Sequence, residues 1–165
     1  MSVRPLIALG ALLVLAALPA AAADWDQLVP ATTTQPQARE RFGAPTRTEV
    51  VKVQAKGETF DTDRWTYEGA KAPPGVTRLV LEFGFKDDRG YRREVLRAFT
   101  MEPKAGVFHK GILAKGWGDP DRVGLDGGRE VFVWASGLIA YFDTPEDIDP
   151  RLLLFGVPQP LPPPR

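Results

Sequence analysis

The 165-residue chain contains no cysteine and a single histidine, His109. The first absence excludes disulfides, thiolate nucleophiles, Cys-ligated zinc and a lipid carried on an N-terminal cysteine. The second leaves one imidazole around which any Ser-His-Asp triad or His-based metal centre would have to be built. An excess of one charge is also missing: 21 Lys and Arg balance 21 Asp and Glu, and the pI is near 6.6. Phosphate contacts need a basic excess, so this balance argues against general nucleic-acid binding. Gly127-Gly128 and Gly116-Trp117-Gly118 lack the strand–loop–helix context and the Lys-Ser/Thr of a P-loop. The chain therefore reads as non-enzymatic, with no catalytic residue, no cofactor and no metal.

What is present begins with an export signal. Arg4 supplies a positive start, an uncharged apolar run follows from Leu6 to Leu18, and Ala21-Ala22-Ala23 fits the small-x-small cleavage rule before Asp24. The apolar core is shorter than the roughly 20 residues of a membrane anchor. Removal of residues 1–23, with Arg4, leaves 20 basic and 21 acidic side chains. The expected location is the periplasm, without a lipid anchor. A chain of this size buries about two-thirds of its unfolded surface, so it folds without disulfides.

Along the mature chain, residues 24–33 form a lead-in. Thr34 and Gln37 make a T-x-x-Q capping box, Pro36 suits the first helical turn, and Gly43 with Pro45 ends the helix after Phe42. Strands are expected at Thr48–Gln54, Arg64–Glu68, Arg78–Lys86 and Tyr91–Thr100. A helical reading competes over 91–99, where Arg, Glu, Leu and Ala all favour helix. In Arg78–Lys86, alternation puts Leu79, Leu81, Phe83 and Phe85 on one face and Val80, Glu82, Gly84 and Lys86 on the other. A second helix is expected over Val107–Trp117, then strands at Arg122–Leu125, Glu130–Ala135, Leu138–Asp143 and Leu152–Val157. Residues 158–165 (PQPLPPPR) read as an extended, disordered Pro-rich tail.

Gly43-Ala44-Pro45 and Gly118-Asp119-Pro120 each end a helical segment, and each precedes a short strand and an aromatic strand. This order predicts an α+β fold of two tandem helix-plus-four-stranded antiparallel units, residues 24–104 and 105–157, forming a curved sheet packed by helices. The helix entered by Thr32-Thr33-Thr34 and ended by Phe42-Gly43-Ala44-Pro45, the Trp65-Thr66-Tyr67 strand and the strand ending Leu81-Glu82-Phe83 resemble the SmpA/OmlA (BamE-like) domain. The tandem arrangement is similar to the β-lactamase-inhibitor-protein fold. The resemblance implies a non-catalytic periplasmic protein that binds other proteins or the envelope.

Trp65, Tyr67, Phe132 and Trp134 lie on matching aromatic strands and are the candidate partner-binding residues, with core packing as the competing role. His109 lacks a second histidine or a nearby Ser motif and reads as an exposed or capping residue. Asp143, Glu146, Asp147 and Asp149 form an acidic loop whose spacing is not that of a calcium-binding loop. Arg89, Arg92, Arg93 and Arg97 form a basic stretch that allows peripheral contact with anionic lipid or with an acidic partner. In a strand over 91–100, Arg93 and Arg97 share a face with Tyr91, Val95 and Phe99. Taken together, the sequence predicts an exported binding module that holds another envelope protein in outer-membrane or envelope assembly or maintenance. The alternatives are an inhibitor of a secreted enzyme and a small-molecule or lipid carrier.

Overall fold

The computed structural model describes residues 21–55, 57–158 and 160. Residues 1–20 of the expected signal and most of the Pro-rich tail lie outside the described residues. The elements run α1 (Gln35–Phe42), β1 (Arg47–Ala55), β2 (Glu58–Glu68), β3 (Val76–Asp87), β4 (Gly90–Pro103), α2 (Lys110–Trp117), β5 (Arg122–Asp126), β6 (Arg129–Val133), β7 (Leu138–Phe142) and β8 (Leu152–Phe155).

Local chemistry explains the helix ends. The Thr34 N–H donates to Gln37 Oε1 at 2.8 Å, and the Gly43 N–H caps Arg39 O at 2.8 Å with Gly43 at φ 74°. Gly118 closes α2 in the same way, on Ala114 O, at φ 80°. Between Gly90 and Pro103 the chain is strand throughout. Pairing with β3 on one side outweighs the helical propensity of that segment.

The expected pair of tandem helix-plus-four-strand units is not what forms. Among the described residues, eight strands join in one antiparallel sheet of order β1-β2-β3-β4-β8-β7-β6-β5, and α-helix is confined to two segments of eight residues each. The strands before α2 run from 9 to 14 residues, whereas those after it have only 4 or 5. The seam that unites them is β4 against β8, with Phe99 opposite Phe155, Thr100 opposite Leu154 and Met101 opposite Leu153. Phe99 and Phe155 stack there, their ring centroids 4.4 Å apart. Burying a phenylalanine is worth about 1.5–3 kcal/mol, and pairing removes two open edges that would invite foreign strands. Residues 104 and 105, the expected boundary, fall in the connection between β4 and α2, and one core cluster spans both sides of it.

That core lies on the sheet face covered by the helices. One buried row crosses it as Trp65, Leu81, Phe99, Phe155 and Leu138 in laterally paired positions. The lead-in completes the cover. Trp25 stacks on Phe42, Leu28 is buried, Ala31 N–H donates to Leu96 O at 2.8 Å, and Leu96 N–H donates to Thr33 O at 2.7 Å. Ala23, the expected last residue of the signal, is itself buried, and its N–H donates to Ser136 O at 2.8 Å. Cleavage at the expected position, after Ala23, would discard this contact.

Candidate binding surface

The four aromatic candidates all belong to the covered side of the sheet. Trp65 is 6% exposed, Tyr67 0% and Trp134 3%, and Phe132 is half-buried against the same core. Their positions follow from strand register. Tyr67 and Phe132 share one transverse row, Tyr67–Leu79–Met101–Leu153–Ala140–Phe132–Val123. Their polar atoms are also engaged within the chain. The Tyr67 hydroxyl donates to Gly43 O at 3.1 Å, and burial pushes its pKa up to about 12. The Trp134 indole N–H donates to Gly118 O at 2.9 Å. Both aromatics thus tie a helix-capping glycine to the sheet, and Trp134 also lines a groove on the opposite face.

His109 occupies the N-cap position of α2 without a side-chain cap bond, and its carbonyl accepts from Leu113 N–H at 3.0 Å. In the acidic loop, Asp147 accepts from Thr144 N–H at 2.8 Å, Asp149 accepts from Gly106 N–H at 3.0 Å, and Asp143 faces Arg151 at 3.4 Å. These carboxylates shape turns and fasten neighbouring segments. Among the described residues no group of three or more His, Cys, Asp or Glu side chains is placed to hold a metal ion.

The opposite face of the sheet carries neither helix. The row beside the buried one runs Arg47, Thr66, Val80, Thr100, Leu154, Ile139, Val133 and Arg122, strand by strand. Val80, Leu154, Ile139 and Val133 are half-buried and, interrupted at Thr100, give this face an apolar stripe with basic ends. Beside the stripe, Glu82 takes two guanidinium groups. Arg64 donates to its Oε1 at 2.7 Å, and Arg97 donates to its Oε2 at 2.6 Å. The hydrogen bond to Glu82 holds the Arg64 guanidinium protonated beyond its ordinary range. Arg78 lies between Glu68 and Glu102, at 3.6 and 3.7 Å.

Arg97 corrects the expected alternation of β4. The register shifts between Glu82 and Phe83, so that Glu82 pairs with Ala98 but Phe83 pairs with Leu96. Arg97 is the extra residue of a bulge, which re-aims its side chain. It meets Glu82 and does not share the face of Phe99, which is buried with the core. A further shift between Phe83 and Phe85 has the same effect, and Phe85 lines the open face.

The two bulges shape a groove of about 620 Å³ on this face, between the β2–β3–β4 ends and the β7–β8 ends. Its lining includes the aromatic Phe60, Phe85, Tyr91 and Trp134 and the aliphatic Ile139 and Leu154. The Tyr91 ring stacks on Phe60 at 4.7 Å, and its hydroxyl donates to Asp61 O. Burial raises the Tyr91 pKa. Gly84, at φ 110°, lies under that ring: a Cβ there would come within 3.2 Å of Tyr91 Cζ and 3.3 Å of Thr62 Oγ1. Alternation in the sequence sets Val80, Glu82, Gly84 and Lys86 on one face. It does not show that this face is the uncovered one.

No family model matches the chain, and no curated protein matches it. The chain is similar to the crystal structure of a DUF4309 family protein, YjgB from Bacillus subtilis subsp. subtilis str. 168. The TM-score is 0.43 and the identity 12%, over 79% of this chain and 82% of that one.

Proposed function

We propose that the chain is an exported, non-enzymatic binding module of the cell envelope, serving assembly or maintenance, which holds a protein partner on the uncovered face of its sheet. The reading rests on one observation above all. The helix-free face combines an apolar stripe, Leu154–Ile139–Val133, with Val80 beyond Thr100 on the same row and Arg–Glu pairs fixed beside it. Interfaces are built in this way, from an apolar centre with a polar rim that sets register and orientation. Export is inferred from the N-terminal sequence, and the SmpA/OmlA resemblance supplies the envelope setting.

A second reading, carriage of a small apolar ligand, is favoured by the groove, whose volume of about 620 Å³ lies in the range of ligand sites. One experiment separates the two. Ile139→Lys and Val133→Lys add charge to the stripe. Capture of a defined protein from envelope extracts should be lost in both variants, with far-ultraviolet dichroism and melting unchanged. Undiminished capture by both variants overturns the protein-binding reading. Loss of a bound lipid or other small molecule, in place of a protein, transfers the site to the carrier reading.

A further inference from the structure

We propose that two copies of the chain join edge to edge through β5, antiparallel and centred on Gly124, so that one sheet continues across a two-fold axis. This inference is independent of what the uncovered face binds. β5 is an edge of the sheet, and all five of its residues are exposed. Its link to β6 is Gly127-Gly128, with φ values of 57° and 84°, a two-residue turn of the primed kind. Such a turn makes Asp126 and Arg129 a hydrogen-bonded pair. By alternation, Gly124 and Arg122 also direct their N–H and C=O groups toward β6, and Val123 and Leu125 direct theirs outward.

A second β5 laid antiparallel offers the same outward groups. With Gly124 on the axis, Val123 meets Leu125 of the second copy, and Leu125 meets its Val123. Both are hydrogen-bonded pairs, so every outward group of the two residues is satisfied. The side chains agree with the backbone. Val123 and Leu125 are 53% and 71% exposed, large apolar residues on the face of Tyr67 and Phe132, with Val123 at the end of their row and Leu125 in the next row, opposite Glu130. Self-pairing removes them from water. On the other face, Arg122 stands opposite Asp126 of the second copy, twice over by symmetry, and opposite charges directly across a strand pair are stabilising. Gly124 faces its own copy where the strands approach most closely. Centring the pair on Val123 or Leu125 would keep the backbone alternation but lose both charge pairs. The resulting contact is isologous, as closed dimers require, and it is small, so it is concentration-dependent.

Sedimentation of the mature chain over roughly 10 µM to 1 mM tests this. The wild-type mass should rise toward twice that of one chain. Val123→Pro removes an outward N–H and spares the β5–β6 ladder, so it should stay monomeric with unchanged melting. Arg122→Asp and Asp126→Arg, each alone, should weaken association about tenfold. Mixing these two variants should restore it, because every cross-copy pair is then of opposite sign. A wild type that remains monomeric throughout overturns the proposal, as does a mixture no tighter than its components. Protection of the outward β5 amides that requires an added foreign protein would likewise overturn it and assign the edge to another chain's strand.

Discussion

The Tyr67 hydroxyl donates to the carbonyl oxygen of Gly43 across 3.1 Å, fixing the end of α1 to β2, the strand next to the sheet's β1 edge. Tyr67→Phe leaves the packing intact and orphans that carbonyl, which should cost about 1 kcal/mol. Trp65→Ala or Trp134→Ala opens a cavity in the core and should cost about 3–5 kcal/mol. Denaturant unfolding measures all three. If Trp65→Ala and Trp134→Ala leave the midpoint unchanged, these aromatics are not core residues.

Glu82 is shared by Arg64 and Arg97. Glu82→Gln keeps the shape and removes the charge, leaving two guanidinium groups beside a neutral amide. These side chains are partly solvated, so the expected loss is on the order of 1 kcal/mol, larger at low salt. Arg64→Ala alone should cost less than Glu82→Gln. The salt dependence of the unfolding midpoint checks the charge component.

Two glycines with the same φ of 110° separate strain from crowding. Gly84 lies against the Tyr91 ring, whereas a Cβ at Gly90 has open space around it. Gly90→Ala carries the backbone strain alone, about 1–2 kcal/mol. Gly84→Ala should exceed it and displace the Tyr91 ring, changing the aromatic near-ultraviolet signal. Equal losses without a spectral change would mean that the groove does not depend on Gly84.

Asp63 accepts from both Arg93 guanidinium nitrogens, at 2.9 and 2.7 Å, and from Gln35 at 2.9 Å. The Arg93 hydrogen bond, offset in part by burial and aided by Gln35, holds its carboxyl below the usual range. The folded state therefore binds this proton less readily than the unfolded chain. The stabilisation is present above the unfolded value of about 3.9 and is lost as the pH falls through the lower, folded one. Asp63→Asn should be less stable than wild type near neutrality, and the gap should close between about pH 5 and pH 2. A gap independent of pH would separate Asp63 from the acid limb.

If the chain is exported and processed as proposed, its mature form should retain Ala23, which is buried and bonded to Ser136. Mass spectrometry of the exported protein should place the first residue at Ala23 or upstream. A chain beginning at Asp24 would show that the fold closes without this bond.

These tests fall on features that differed widely in how visible they were in the sequence. The α1 boundaries were legible because their determinants are local: Thr34 and Gln37 at one end, Gly43 and Pro45 at the other. The strands were legible as alternation between turn residues. The single sheet was not, because the pairing of Phe99 with Phe155 joins positions far apart in the chain and no local pattern encodes it. Nor was the Arg97 bulge, since one inserted residue reverses a face without altering composition. Alternation could separate Trp65 from Arg64 but could not say which side the helices and the lead-in would cover. The Glu82 pairs depend on register between strands, which appears only once the sheet is assembled.

Ala23 and Gly156 are both bonded to the same turn, Ser136–Gly137, at 2.8 and 2.9 Å. Residues 23 and 156 thus meet at one corner of the fold. A short linker closing that corner, with new termini opened at the Gly127-Gly128 loop, gives a circular permutant that preserves every strand pairing. For the same reason, fluorophores at residues 23 and 156 would report the opening of this corner as a distance.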